Sequence, residues 1–265
     1  METVGIRELK ANLRSLLIWG GIVILIVVVG FSKFSAYEGN AEMLAILDQL
    51  PPAMLSAFNF EAFNLTTITG FFGVMFTYFG LILSIAAAMW GSDIISKEER
   101  DKTVEFSLTL PVARSRVVTA KILAAVINCI ALLLITWGAA FAASLQYQPG
   151  SEYYSFLRLG MLALFIMQLI FLAVGIFLGC AMKQYKRASA AAVAVLLVTY
   201  FMSIISGLNE NLEFLKYFSP FKYFNPATLL HESKIDLAFV GLSAGIIAVL
   251  IVGAYISYSR RDLYI

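Results

Sequence analysis

Gly241-Leu242-Ser243-Ala244-Gly245 has the G-x-S-x-G spacing that exposes a serine nucleophile where a strand turns sharply into a helix. Such a serine needs a histidine and an acid within reach. The chain holds one histidine, His231, and it lies outside the long apolar run that contains Ser243. The two glycines, four residues apart, suit instead a face where one helix approaches another, as do Gly175 and Gly179 in GIFLG. Lys97-Glu98-Glu99-Arg100-Asp101 sets two carboxylates side by side. Paired glutamates do hydrolytic chemistry inside a membrane only beside further histidines, and the apolar runs contain none. Cys129 and Cys180 fall within apolar runs at a spacing that suits neither a disulfide framework nor a metal centre, so no metal site is expected. The chain lacks G-x-x-x-x-G-K-[ST], so ATP, if it drives the protein, binds to a partner.

The elements that hold these residues are apolar to an unusual degree. Hydrophobic residues make up 60% of the chain and charged residues 14%, with a mean hydropathy of +0.85. A soluble domain carries about 25% charged residues, so lipid is the solvent for most of this chain. Six runs reach the roughly 20 residues that cross a bilayer: 16–34, 68–91, 117–145, 156–182, 188–208 and 237–259. They lack the alternation of barrel strands and read as helices. The expected fold is an all-α integral membrane protein, a single membrane domain over residues 1–265.

The positive charges orient it. Arg7, Lys10, Arg14, Lys97, Arg100, Lys102, Arg114, Arg116, Lys121, Lys183, Lys186, Arg187, Arg260 and Arg261 fall on one side, against Lys33, Arg158, Lys216, Lys222 and Lys234 on the other. The richer side faces the cytoplasm, and with it both termini. The first run is too long for a signal-peptide core and is followed by FSKFSAYEG, with no small-residue cleavage site, so it reads as an uncleaved helix. Before it, GIRELKANLRSLLIWG sets Ile6, Leu9, Leu13, Leu16 and Leu17 on one face and Arg7, Lys10 and Arg14 on another, which predicts a short amphipathic helix lying at the membrane surface. Two outer segments are long. Residues 37–67 hold an amphipathic stretch broken by Pro51-Pro52. Residues 209–236 are dense in Phe and Tyr, with Pro220 and Pro226 predicting short broken helices at the headgroup level.

The middles of the six runs contain no Asp or Glu, which proton or cation relays need, so power from an ion gradient is not expected. Asn128 and Gln168 are polar enough to line a path, or to bond neighbouring helices. The charged block from Lys97 to Lys121, KEERDKTVEFSLTLPVARSRVVTAK, is the largest cytoplasmic segment between runs. Val104, Phe106, Leu108 and Leu110 alternate there with Lys102, Glu105 and Thr109, and Pro111 suits the first turn of the next helix.

This block resembles the cytoplasmic loop of type-2 ABC transporter permeases, the membrane subunits of bacterial drug, bacteriocin, bacitracin-resistance and polysaccharide exporters. The matching residues are Glu98, Glu99, Arg100, Thr103, Glu105, Phe106, Leu108, Leu110, Pro111, Val112, Arg114 and Lys121. The sequence departs from the pattern at Lys102, where the family often has glycine, and at Ser107, where leucine is usual. Six helices, the amphipathic start, the aromatic segment before the last helix and the Arg260-Arg261-Asp262 end extend the resemblance over the whole chain.

The resemblance implies a coupling helix between the second and third spans that fits a groove on a separate ATPase, with Phe106, Leu108 and Leu110 as knobs and Glu98, Glu99, Arg100 and Arg114 as the rim. It also implies two ATPase copies, which hold the ATP and Mg, and a homodimer or a heterodimer with a second permease. The expected protein is thus a multi-pass exporter subunit of the cell membrane, non-enzymatic and without a cofactor of its own. Its partners are lipid and the ATPase, with no nucleic acid. An apolar path would serve peptides, lipids or amphiphilic drugs equally. The rival reading is a membrane anchor or sensor that docks a cytoplasmic partner without transporting anything.

Overall fold

A computed structural model of the chain describes residues 2–40, 63–100, 114–182, 184–208 and 210–259, together with 42, 49 and 55. The protein is all-α, with no strand among the described residues. Its helices are α1 (Glu2–Tyr37), α2 (Ile68–Arg100), α3 (Arg114–Ser144), α4 (Ser151–Ala181), α5 (Tyr185–Leu208), α6 (Pro220–Tyr223), α7 (Pro226–His231) and α8 (Leu237–Ser259). Six of these, α1 to α5 and α8, are long and apolar enough to cross a membrane. A multi-pass membrane protein follows from those six helices.

Two boundaries differ from the sequence expectation. The amphipathic start does not form a separate surface helix. It continues into the first span as one helix of 36 residues, about 54 Å long at the usual rise. Nothing between Leu9 and Trp19 breaks a helix, because neither proline nor glycine occurs there. Burial along this stretch is inverted relative to a water-facing amphipath. Glu8 and Asn12 are buried, whereas Leu13 and Leu17 are exposed. Likewise α2 runs past Gly91 through the charged residues to Arg100.

The centre of the bundle is α4, which packs against α2, α3, α5 and α8, and most extensively against α2. Glycine sets that closeness. A methyl group on Gly175 would run into the Ala88 carbonyl and stand 2.9 Å from the Ser92 nitrogen, and one on Gly91 would meet the Leu172 carbonyl and the Ile176 nitrogen. Only a residue without a Cβ permits this approach, which is the small-residue packing typical of membrane helices. Toward the opposite end Phe72 of α2 meets Tyr153 and Phe156 of α4 edge-on, with centroids 5.4 and 5.6 Å apart. The flanks are α1, α5 and α8, whose Leu25, Phe201 and Val249 face outward as lipid-soluble side chains.

In the segment before α8 the prolines start helices instead of merely ending them. Pro220 and Pro226 occupy the first turns of α6 and α7, where a missing N–H costs nothing. Asn225 caps α7 by accepting from the Ala227 N–H at 2.9 Å. A 3-10 helix, Glu210–Phe218, precedes them. Tyr223 then stacks on Phe239 of α8, centroids 5.1 Å apart and rings 11° from parallel.

Candidate functional site

The two helices that flank the charged block bring its ends together. α2 delivers Glu98, Glu99 and Arg100 in its last turn, and α3 begins at Arg114. Thr103, Glu105, Phe106, Leu108, Leu110 and Pro111 lie outside the described residues, as do the side chains of Glu98, Glu99, Arg100 and Arg114. The helix segments below those ends are tied by hydrogen bonds to most of the bundle.

Lys121, in the second turn of α3, is buried to 1% exposure and donates from Nζ to the Ile94 carbonyl of α2 at 2.8 Å. Two residues earlier on α2, Ser92 shares a 2.7 Å hydrogen bond with Ser189 of α5. Trp90 donates its indole N–H to Ser15 of α1 at 2.9 Å. Thr119 of α3 meets the Tyr255 hydroxyl of α8 at 2.7 Å. The glycine contact of α2 with α4 lies at the same level, for Gly179 stands against Ser92. Five neighbouring pairs, α1–α2, α2–α3, α2–α5, α3–α8 and α2–α4, are therefore joined at the basic end.

Sequence reasoning singled out Lys121 here but missed Ser15, Trp90, Ser92, Thr119, Ser189 and Tyr255. Each is an ordinary polar residue near the end of an apolar run. Only its partner, between 75 and 136 residues away in the chain, marks it. The one available signal was position: these hydroxyls and the indole cluster at the level of the basic residues.

The other predicted residues fall elsewhere. Asn128 and Gln168 are buried inside the bundle at 2% and 0% exposure. Among the described residues the Asn128 amide nitrogen and both amide atoms of Gln168 have no hydrogen-bond partner. Gly175 and Gly179 lie in the α2–α4 contact. Among the described residues nothing packs on Gly241 or Gly245, because a methyl on either would meet nothing within 4 Å. The glycine of α8 that closes on a neighbour is Gly253, against Phe177 of α4. Ser243 is buried and donates to the Phe239 carbonyl of its own helix at 2.7 Å, which accounts for its hydroxyl without chemistry.

At the opposite end, α2, α4, α5, α6 and α7 enclose a cleft of about 30 Å³ lined by Thr77, Tyr200, Ser203, Lys222 and Asn225, among others. Burial holds the Lys222 ammonium below the ordinary lysine range. The neighbouring exposed pair behaves differently. Lys216 donates to Glu213 at 2.7 Å, which lowers the pKa of the acid and raises that of the base.

No curated protein matches the chain. The family described as "ABC-2 family transporter protein" matches residues 3–263, nearly the whole length. The six spanning helices and this match agree, and the chain belongs to the ABC-2 transporter family as a membrane permease component of an ABC transporter.

Proposed function

We propose that the chain forms the translocation path of an ATP-driven exporter and receives its power through residues 97–121. The family implies partnership with an ABC ATPase. In this reading two ATPase copies sit beneath two permeases, identical or paired with a sibling, in the cell membrane. Both termini and the charged block face the cytoplasm, and ATP and Mg stay on the ATPase. Closure of the ATPase pair pushes on the block and tilts the permease halves toward the outside.

The observation that carries this reading is the tied base. A push on a loose loop is dissipated, whereas a push on a segment anchored at Ile94 and Lys121 passes directly to α2 and α3, and through Ser92, Trp90 and Thr119 to α5, α1 and α8. Phe106, Leu108 and Leu110 supply the apolar contact, with Glu98, Glu99, Arg100, Thr103, Glu105, Pro111 and Arg114 around it.

The test is purification of the tagged chain from native membranes in mild detergent. A co-purifying ABC ATPase that is lost on Phe106→Asp supports coupling through this block. If the ATPase stays bound and substrate still stimulates its hydrolysis in the Phe106→Asp and Glu98→Ala/Glu99→Ala variants, the block is not the coupling element. ATPase binding without any substrate stimulation in the unaltered protein favours the anchor reading.

A further inference from the structure

A groove of about 520 Å³ opens on the flank of the bundle between α1 and α2, within the range of sites that hold drug-sized ligands. Its walls are apolar, built chiefly from Leu25, Ile26 and Val29 of α1 and from Phe71, Val74 and Met75 of α2. Its floor is shaped by Gly30, where a methyl would stand 2.8 Å from the Met75 side chain. The polar groups on it include Lys33 and Tyr37, both toward the end of α1.

The dimensions of the groove select the occupant. From Leu25 to Tyr37 α1 rises about 18 Å, close to half of the ~30 Å hydrocarbon core. Counted from the outer end of the first span, that length reaches to about the midplane, roughly the depth of a single leaflet. A transmembrane partner helix would need a face across both leaflets, and a water-soluble ligand would gain nothing from such walls. A lipid tail matches both the length and the chemistry. The charge at the mouth narrows the class further. Lys33 is exposed, and among the described residues no carboxylate pairs with it.

We propose that this groove holds one acyl chain of an anionic glycerophospholipid from the outer leaflet, with the lipid phosphate at Lys33. The leaflet follows from the orientation in the preceding reading; the groove, its depth and its cation do not depend on it. The bound tail fills the space between α1 and α2 beyond their aromatic contact, where Phe34 and Phe71 lie 5.1 Å apart. The lipid is a resident of the fold and is not the transported cargo.

The experiment uses the full-length protein reconstituted in nanodiscs of phosphatidylglycerol and phosphatidylcholine with matched chains, carrying a photoreactive residue at Val29. Irradiation is expected to give a phosphatidylglycerol adduct, identified by mass. Lys33→Glu should lower phosphatidylglycerol adducts about fivefold or more while leaving phosphatidylcholine adducts unchanged, the scale of one basic residue at an anionic surface. Separately, with the photoreactive residue moved to Leu25, Val29→Trp should lower both by filling the groove. Unchanged phosphatidylglycerol labelling in Lys33→Glu overturns the headgroup assignment. Adducts to a second copy or to the chain's own residues overturn the lipid itself. None of these outcomes bears on ATPase binding, so a failure here is distinct from a failure of the exporter reading.

Discussion

Lys121 reaches across from α3 to donate its ammonium to the main-chain carbonyl of Ile94 on α2, with almost no exposure to solvent. A buried lysine bonded to backbone fixes where one helix ends relative to where the next begins. Lys121→Met keeps the apolar stem and removes the bond. It should cost about 1.5–3 kcal/mol of stability, the typical worth of a hydrogen bond to a charged group. It should also reduce transport per ATP more than it reduces ATPase binding. The ratio of transport to hydrolysis in proteoliposomes checks this, and an unchanged ratio would make Lys121 a purely structural residue.

Gly91 has no room for a side chain, and Gly241 has open space. Gly91→Ala should push α2 from α4 and destabilise the protein by about 1–3 kcal/mol, the cost of overpacking a tight contact. Gly241→Ala should leave thermal stability of the detergent-solubilised chain within about 0.5 kcal/mol, as exposed substitutions generally do. Thermal unfolding of both variants by size-exclusion after heating tests the contrast. Equal losses would mean that α8 is covered at Gly241.

Trp90 and Ser15 join α2 to α1 by a single 2.9 Å hydrogen bond. A cycle of Trp90→Phe, Ser15→Ala and the double variant should return an interaction energy of about 0.6 kcal/mol, the average for such bonds between membrane helices. A value indistinguishable from zero would remove this pair from the ties that support the charged block.

Lys222 carries a charge that burial disfavours in the folded state. Its folded pKa lies below the unfolded one, so the penalty is full at neutral pH. It is relieved as pH rises through the lowered folded pKa toward the ordinary lysine value. Stability should therefore increase on going alkaline within that window. Lys222→Met should be more stable than the parent at pH 7 and should lose that alkaline gain. The exposed Glu213–Lys216 pair is the control, since a surface ion pair contributes little. Unfolding temperatures at pH 7 and at alkaline pH, in parent and variant, decide the matter.

The spans were legible because hydrocarbon leaves the backbone no alternative to a helix, and the predicted run 237–259 coincides with α8. The continuous α1 was not. An amphipathic pattern predicts which face meets water only when water is the neighbour, and here the polar Glu8 and Asn12 turn inward while Leu13 and Leu17 face outward. Glycine spacing identified two equivalent pairs, and among the described residues only Gly175 with Gly179 meets a partner. Spacing fixes a face but not what stands opposite it. The hydrogen bonds at the basic end were invisible for the same reason, because a serine at position 92 does not announce a serine at position 189.

The tie between Thr119 and Tyr255 spans 136 residues. At a synthesis rate of about 5–20 residues per second, α3 waits roughly 7–27 s after its own emergence before the residue that completes its fastening exists. The tie of Trp90 to Ser15 can close before that interval, those of Ile94 to Lys121 and Ser92 to Ser189 within it, and the one to α8 closes last. A chain truncated before Leu237 would hold every other tie described here and lack only this one. The bond between Thr119 and Tyr255 is where such a product differs from a finished molecule at the basic end.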